Sequence, residues 1–220
     1  MDGRAVIIGA GIGGLTAARV LSRRYAQVTV LDRDSLAGGG APRRGVPQGG
    51  HGHILLLSGL RELAELFPGL ADELVTRGAS RFDVGTGLCN YRFGRRRIST
   101  PVGRDLTSMS RPLLEAVLRD RVAAEPAVTI RDGVAVTALT GTADAVTGVV
   151  LDTGETLAAD VVVDCSGRGS RSDRWLAGLG LPAPRQLEVK VGVGYSTRCP
   201  VTRRASRRTP AVCPTRSWRT

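Results

Sequence analysis

Regular patterning starts with residues 5–8, Ala-Val-Ile-Ile, a continuous apolar run of the length of a buried strand. Glycines then break the run. Residues 12–24 place apolar side chains at helical spacing, and Gln27–Leu31 reads as a second strand that stops at Asp32. Residues 33–53 are polar and rich in Gly and Pro, so no regular element is expected there. A helix is predicted from His53 or Ile54, with Leu56, Leu60, Leu63, Leu66 and Phe67 on one stripe. Pro68-Gly69 closes it, and residues 70–77 form a further short helix. Within 79–100 the pattern predicts strands at 79–85, 87–93 and 98–100, around a basic hairpin tip that carries Arg95, Arg96 and Arg97.

A third helix is predicted over 112–124. Ser110 is its N-cap and Pro112 stands in its first turn, where a missing N–H costs nothing. Leu113, Leu114, Val117, Leu118, Arg121 and Val122 share the inner face. Residues 128–133 then read as a strand of the parallel sheet. Residues 134–139, 146–151 and 156–157 alternate as an antiparallel meander turned at Asp152-Thr153-Gly154-Glu155. The chain returns to a buried strand at Val-Val-Val-Asp, residues 161–164.

The glycines at the first break fit G-x-G-x-x-G at Gly9, Gly11 and Gly14. Gly9 permits the tight turn off the strand, Gly11 admits a pyrophosphate against backbone, and Gly14 lets the helix pack close to the sheet. The N–H groups and positive end of the helix then face a diphosphate. Asp32, roughly 20 residues on, stands where an acid accepts ribose hydroxyls. Strand, turn, helix, strand and acid in this order predict a dinucleotide site.

Bulk composition narrows the partners. At 220 residues there is material for one good core, or one domain and part of a second. Net charge is +11, yet seven arginines and no acid lie within 198–220. With no helix-turn-helix, no RNA-recognition pattern and 4% aromatic residues, nucleic-acid binding is not expected. No apolar run is long enough to span a bilayer, no leader pattern is visible, and a cytoplasmic location is expected. The four cysteines, Cys89, Cys165, Cys199 and Cys213, lack C-x-x-C spacing and read as free thiols. His51 and His53 have no third ligand in view, so no metal site is expected, and Cys165 reads as a packed small residue. Residues 198–220 have no period and a composition like GC-rich DNA read out of frame, so a disordered or frameshifted tail is expected.

Four segments together carry a family resemblance: the turn with Asp32; Arg44-Gly45-Val46-Pro47-Gln48-Gly49 with His51 and His53; Ser110-Arg111-Pro112-Leu113-Leu114; and residues 161–171, VVVDCSGRGSR. The chain resembles the N-terminal part of FAD-dependent monooxygenases and epoxidases of the para-hydroxybenzoate hydroxylase and squalene epoxidase type, with a flavour of bacterial polyether epoxidases. The resemblance implies an α/β, FAD/NAD(P)-binding Rossmann-like three-layer fold. It also implies an antiparallel meander and the start of a substrate-domain sheet. Implied domains are an FAD-binding domain over 1–186, with inserted strands about 79–100, and the beginning of a substrate domain over 187–197. FAD is the implied cofactor, NAD(P)H the co-substrate and a small organic molecule the substrate.

Implied cofactor contacts are Gly9, Gly11, Gly13, Gly14, Asp32, Arg33, Arg44, Gln48, Arg111, Val134, Asp164 and Gly167, with no catalytic acid or base. At the second turn Ser166 takes the place of the family's usual aspartate. The family's third fingerprint, a Gly-Asp segment, would lie beyond residue 220, so an incomplete flavin pocket is expected. A flavin reductase of the geranylgeranyl type, a halogenase, and a non-catalytic nucleotide-binding fragment stay open as alternatives. A short-chain dehydrogenase fits poorly, because Lys190 is the one lysine and no tyrosine stands four positions before it.

Overall fold

The computed structural model describes residues 2–36, 43, 45–89, 91–192, 194 and 211–212. In chain order the elements are β1 (Arg4–Ile8), α1 (Ile12–Leu21), β2 (Gln27–Leu31), β3 (Gly52–Leu55), α2 (Leu57–Leu66), α3 (Leu70–Thr76) and β4 (Ser80–Asp83). Then come β5 (Leu88–Cys89), β6 (Tyr91–Arg92), β7 (Arg95–Arg96), β8 (Asp105–Ser110), α4 (Arg111–Ala123) and β9 (Val128–Arg131). The last are β10 (Val136–Gly141), β11 (Val146–Leu151), β12 (Thr156–Ala158), β13 (Val161–Asp164), α5 (Ser172–Gly178) and β14 (Ala211–Val212).

A parallel sheet in the order β13-β1-β2-β9 is the centre of the fold. Alternation along β1 divides the core into two layers. Ala5 and Ile7, with Val28 and Val30 of β2, face α1 and α4, where Leu15, Ala18, Leu114, Val117 and Leu118 are buried. Val6, Ile8 and Leu31 face the other way, onto Val136, Val149, Leu151 and Trp175 of the meander and α5. Helices on one face and the antiparallel meander β10-β11-β12 on the other give the expected three layers. Trp175 joins α5 to the meander by donating its indole N–H to the Thr137 carbonyl at 2.9 Å.

The structure corrects the expectation around His53. Residues 52–55 are a strand, not the start of a helix, and pair antiparallel with β8, with His53 opposite Met109. Leu56 stands before α2 and is exposed, whereas Leu63 and Phe67 are buried as the stripe required. Strand β8 escaped the sequence because Asp-Leu-Thr-Ser-Met-Ser has little β pattern. Its pairing with β3 and β4 on either side, a tertiary effect, makes it a strand. The short strand expected at 98–100 does not form, and residues 187–192 pair with no strand. Residues 193 and 195–197, and most of the 198–220 tail with Cys199 and Cys213, lie outside the described residues. Ala211–Val212 pairs in parallel with β5. Among the described residues no helix is long and apolar enough to cross a membrane.

Candidate functional site

A groove of about 890 Å³ opens at the carboxyl ends of β1, β2 and β13, where open α/β sheets bind ligands. Its first wall is the turn between β1 and α1. Gly9 has φ +103°, a conformation open to glycine, and a Cβ there would stand 2.6 Å from the Cys165 carbonyl oxygen. The two glycine turns therefore touch, because β13 lies directly beside β1. A Cβ on Gly14 would collide with the Gly9 carbonyl, so Gly14 sets the close approach of α1 and lies under the groove wall. Gly11 is the opposite case: nothing lies within 4 Å of where its Cβ would stand. That open cradle, at the end of a helix whose first N–H groups have no intrahelical partner, fits a diphosphate.

Gly9, Gly11, Gly13, Asp32, Arg33, Gln48, Arg111, Val134, Asp164 and Gly167 all line this groove. Sequence positions from the whole described chain thus converge on one surface. Arg44 lies outside the described residues. Asp32 is 8% exposed and is held on both oxygens. Oδ2 accepts the Ala10 N–H at 2.7 Å and Oδ1 the Asp34 N–H at 2.9 Å. Arg33 reaches across to the second turn, its guanidinium nitrogens 3.6 Å from the Cβ position of Gly169. Asp164 organises that turn by accepting from the Ser166 N–H at 2.9 Å and the Ser170 hydroxyl at 2.5 Å.

Two residues that sequence reasoning missed are central to the site. Arg43 donates to Asp32 Oδ2 at 3.0 Å, to the Ala10 carbonyl at 3.2 Å and to Glu115 Oε2 at 2.8 Å. Glu115, 3% exposed, also accepts from Arg111 Nε at 2.8 Å. Burial opposes the charge on Arg43, but the hydrogen bond and charge of Glu115 and the nearby Asp32 outweigh it, raising its pKa. The available signal was i to i+4 spacing between Arg111 and Glu115, which places both on one helix face. His53 stands near the pair. Burial first, then the Arg111 charge, lowers its pKa against a pull upward from Glu115. Cys165 is half-buried, and burial with the Asp164 charge pushes its thiol pKa up, away from nucleophile chemistry. Among the described residues no cluster of His, Cys, Asp and Glu could hold a metal ion.

A parallel sheet flanked by helices and a meander, with paired glycine turns over one groove, defines a dinucleotide-binding protein of the flavoenzyme kind. Residues 5–174 match the family described as FAD dependent oxidoreductase, and the chain belongs to that family. FAD is the cofactor of that family. Protein Rv3254 of Mycobacterium tuberculosis is 37% identical over 210 residues, which are 88% of this chain and 44% of that protein. PqsL from Pseudomonas aeruginosa, a probable FAD-dependent monooxygenase, is similar in structure with a TM-score of 0.63. It is 21% identical, over 86% of this chain and 48% of PqsL. A variant of 2-methyl-3-hydroxypyridine-5-carboxylic acid oxygenase is similar with a TM-score of 0.59 and 26% identity, over 78% of this chain and 41% of the oxygenase. The chain thus spans about half the length of these relatives or less.

Proposed function

We propose that the chain is the FAD-binding part of a monooxygenase that uses NAD(P)H and O2 to hydroxylate or epoxidise a small organic substrate. The observation that carries the proposal is the convergence of both glycine turns, Asp32, Arg43 and Arg111 on one groove. The likeness to a probable FAD-dependent monooxygenase and to an oxygenase favours this chemistry over that of a reductase or halogenase. FAD, when bound, supplies the redox chemistry that activates O2 for transfer of one oxygen atom.

The protein's residues bind and orient. Asp32 would accept ribose hydroxyls, and the N-terminal N–H groups of α1 beside Gly11 would hold the diphosphate. Arg43 and Arg111 would supply positive charge along the same wall, and Gln48, Val134, Asp164 and Gly167 line the rest of the groove that would hold the cofactor. No side chain of the groove is assigned as acid or base. A cytoplasmic location belongs to the same proposal.

The test loads the purified chain with FAD and adds NADH or NADPH in air. Flavin-dependent consumption of one of the two nucleotides supports the proposal. Bound flavin that stays oxidised in excess of both nucleotides counts against it.

A further inference from the structure

Glu115 is a buried carboxylate that none of the glycine or arginine motifs includes. It lies one turn along α4 from Arg111 and holds two guanidinium groups from distant parts of the chain, one on each oxygen. Oε1 takes Arg111 through Nε, so the terminal nitrogens of Arg111 extend beyond the bond. Oε2 takes Arg43, which is fixed a second and third time by Asp32 and the Ala10 carbonyl. Both arginines line the groove, and Glu115 does not.

We propose that Glu115 is a positioning residue for the cofactor diphosphate, setting the orientation of Arg43 and Arg111 from beneath the groove wall. This rests on the assignment of the groove to FAD. Its basis is charge and geometry together. Asp32 and Glu115 formally cancel Arg43 and Arg111, so the cluster does not draw an anion by net charge. What it offers is donors set in direction before the ligand arrives, the arrangement that makes charge-assisted bonds to phosphate strong. A carboxylate is also a poor choice if its only duty is to fill space in the core, because apolar residues of similar volume do that at least as well.

The two explanations differ in sign. Glu115→Gln keeps the shape and adds one net positive charge to the cluster. Charge alone then predicts tighter binding of an anionic cofactor, whereas lost positioning predicts weaker binding. Glu115→Asp keeps the charge and withdraws it by one methylene, so a charge-balancing role leaves affinity unchanged and a positioning role does not.

The experiment titrates FAD into the purified chain and both variants by quenching of flavin fluorescence, with ADP as competitor and riboflavin, which has no diphosphate, as comparison ligand. Circular dichroism melts of the apo proteins check the fold. FAD and ADP affinities are expected to fall by about tenfold or more in both variants, with riboflavin unaffected. Equal or tighter FAD binding by Glu115→Gln overturns the proposal, as does a riboflavin loss equal to that of FAD. Loss of the apo fold in both variants assigns Glu115 to stability and overturns it too. Should the unmodified chain bind no FAD, the assignment of the groove itself fails. FAD binding that Glu115→Gln leaves intact removes the positioning role alone.

Discussion

Gly9→Ala is the sharpest perturbation of the scaffold beneath the site. Two independent penalties add at this position. Its φ of +103° lies where an L residue rarely goes, and holding alanine there costs about 1–3 kcal/mol. The new methyl would stand 2.6 Å from the Cys165 carbonyl oxygen and 2.9 Å from its carbon. These are backbone atoms of Cys165, the residue that follows β13, and its N–H is itself bonded to the Ile8 carbonyl at 2.8 Å, so they cannot step aside without parting the strands. Overpacking of this kind costs about 1–3 kcal/mol more. The sum, about 2–6 kcal/mol, corresponds to a fall in Tm of roughly 4–24 °C at about 2–4 °C per kcal/mol for a chain of this size. Thermal melts of the apo protein by circular dichroism measure it. Gly11→Ala is the control: its Cβ meets nothing within 4 Å, so the apo Tm should stay within about 2 °C while FAD affinity falls. A Gly9→Ala protein that melts like the parent would refute the close contact between the two turns.

Three further outcomes follow from the same geometry. The folded state favours neutral His53, whose pKa lies below its usual 6.5. The associated stability is therefore present above that value and is lost as pH falls from there through the lower folded value. Urea unfolding from about pH 8 to about pH 5 should show this decline, and His53→Asn should flatten it. The Asp83 carboxylate gathers the N–H groups of Gly85, Val102, Gly103 and Arg104 at 2.8, 3.0, 2.7 and 3.3 Å. Desolvation would raise its pKa, but these donors together lower it, so the anchor holds above the ordinary carboxylate range and loosens as pH falls through the depressed value. Asp83→Asn should accelerate proteolysis of residues 84–104 at neutral pH, with an unchanged digestion rate as the contrary result. Thr107 is 1% exposed and its hydroxyl has no hydrogen-bond partner among the described residues. Thr107→Val should raise stability by about 1 kcal/mol, visible as a higher urea midpoint, and a lower midpoint would reveal a partner for the hydroxyl.

Local pattern was enough where neighbours in sequence are neighbours in space. Gly9–Gly14 with β1, α1 and β2 is one such unit, and so is the meander, with Gly154 in its hairpin turn. Ser110 was legible as an N-cap and accepts the Leu113 N–H at 3.2 Å. Pattern failed where distant segments decide. Residues 52–55 resemble the start of the apolar helical stripe and become a strand because β8 supplies the partner edge. The site shows the same division. Asp32 and the glycines follow from motif spacing and Arg111 from the family resemblance, whereas Arg43 is distinguished only by Asp32, Glu115 and Ala10, which come from other parts of the chain. Arg43 lies in a Gly/Pro-rich loop where pattern singles out no residue, and its neighbour Arg44, expected from the sequence, lies outside the described residues. Glu115 was hidden for another reason: a glutamate on a helix ordinarily faces water, and its burial depends on two arginines that the helix does not wholly supply.

The groove over Gly11, between Asp32 and the second glycine turn, is the proposed FAD site. Calorimetric titration of FAD into the purified chain, repeated with Gly11→Val, tests it most directly. The expected result is one FAD per chain, competition by ADP, and loss of binding when valine fills the space where no atom now lies within 4 Å of the Cβ position. A chain that takes up no FAD, or that binds it equally well with valine at position 11, would contradict it.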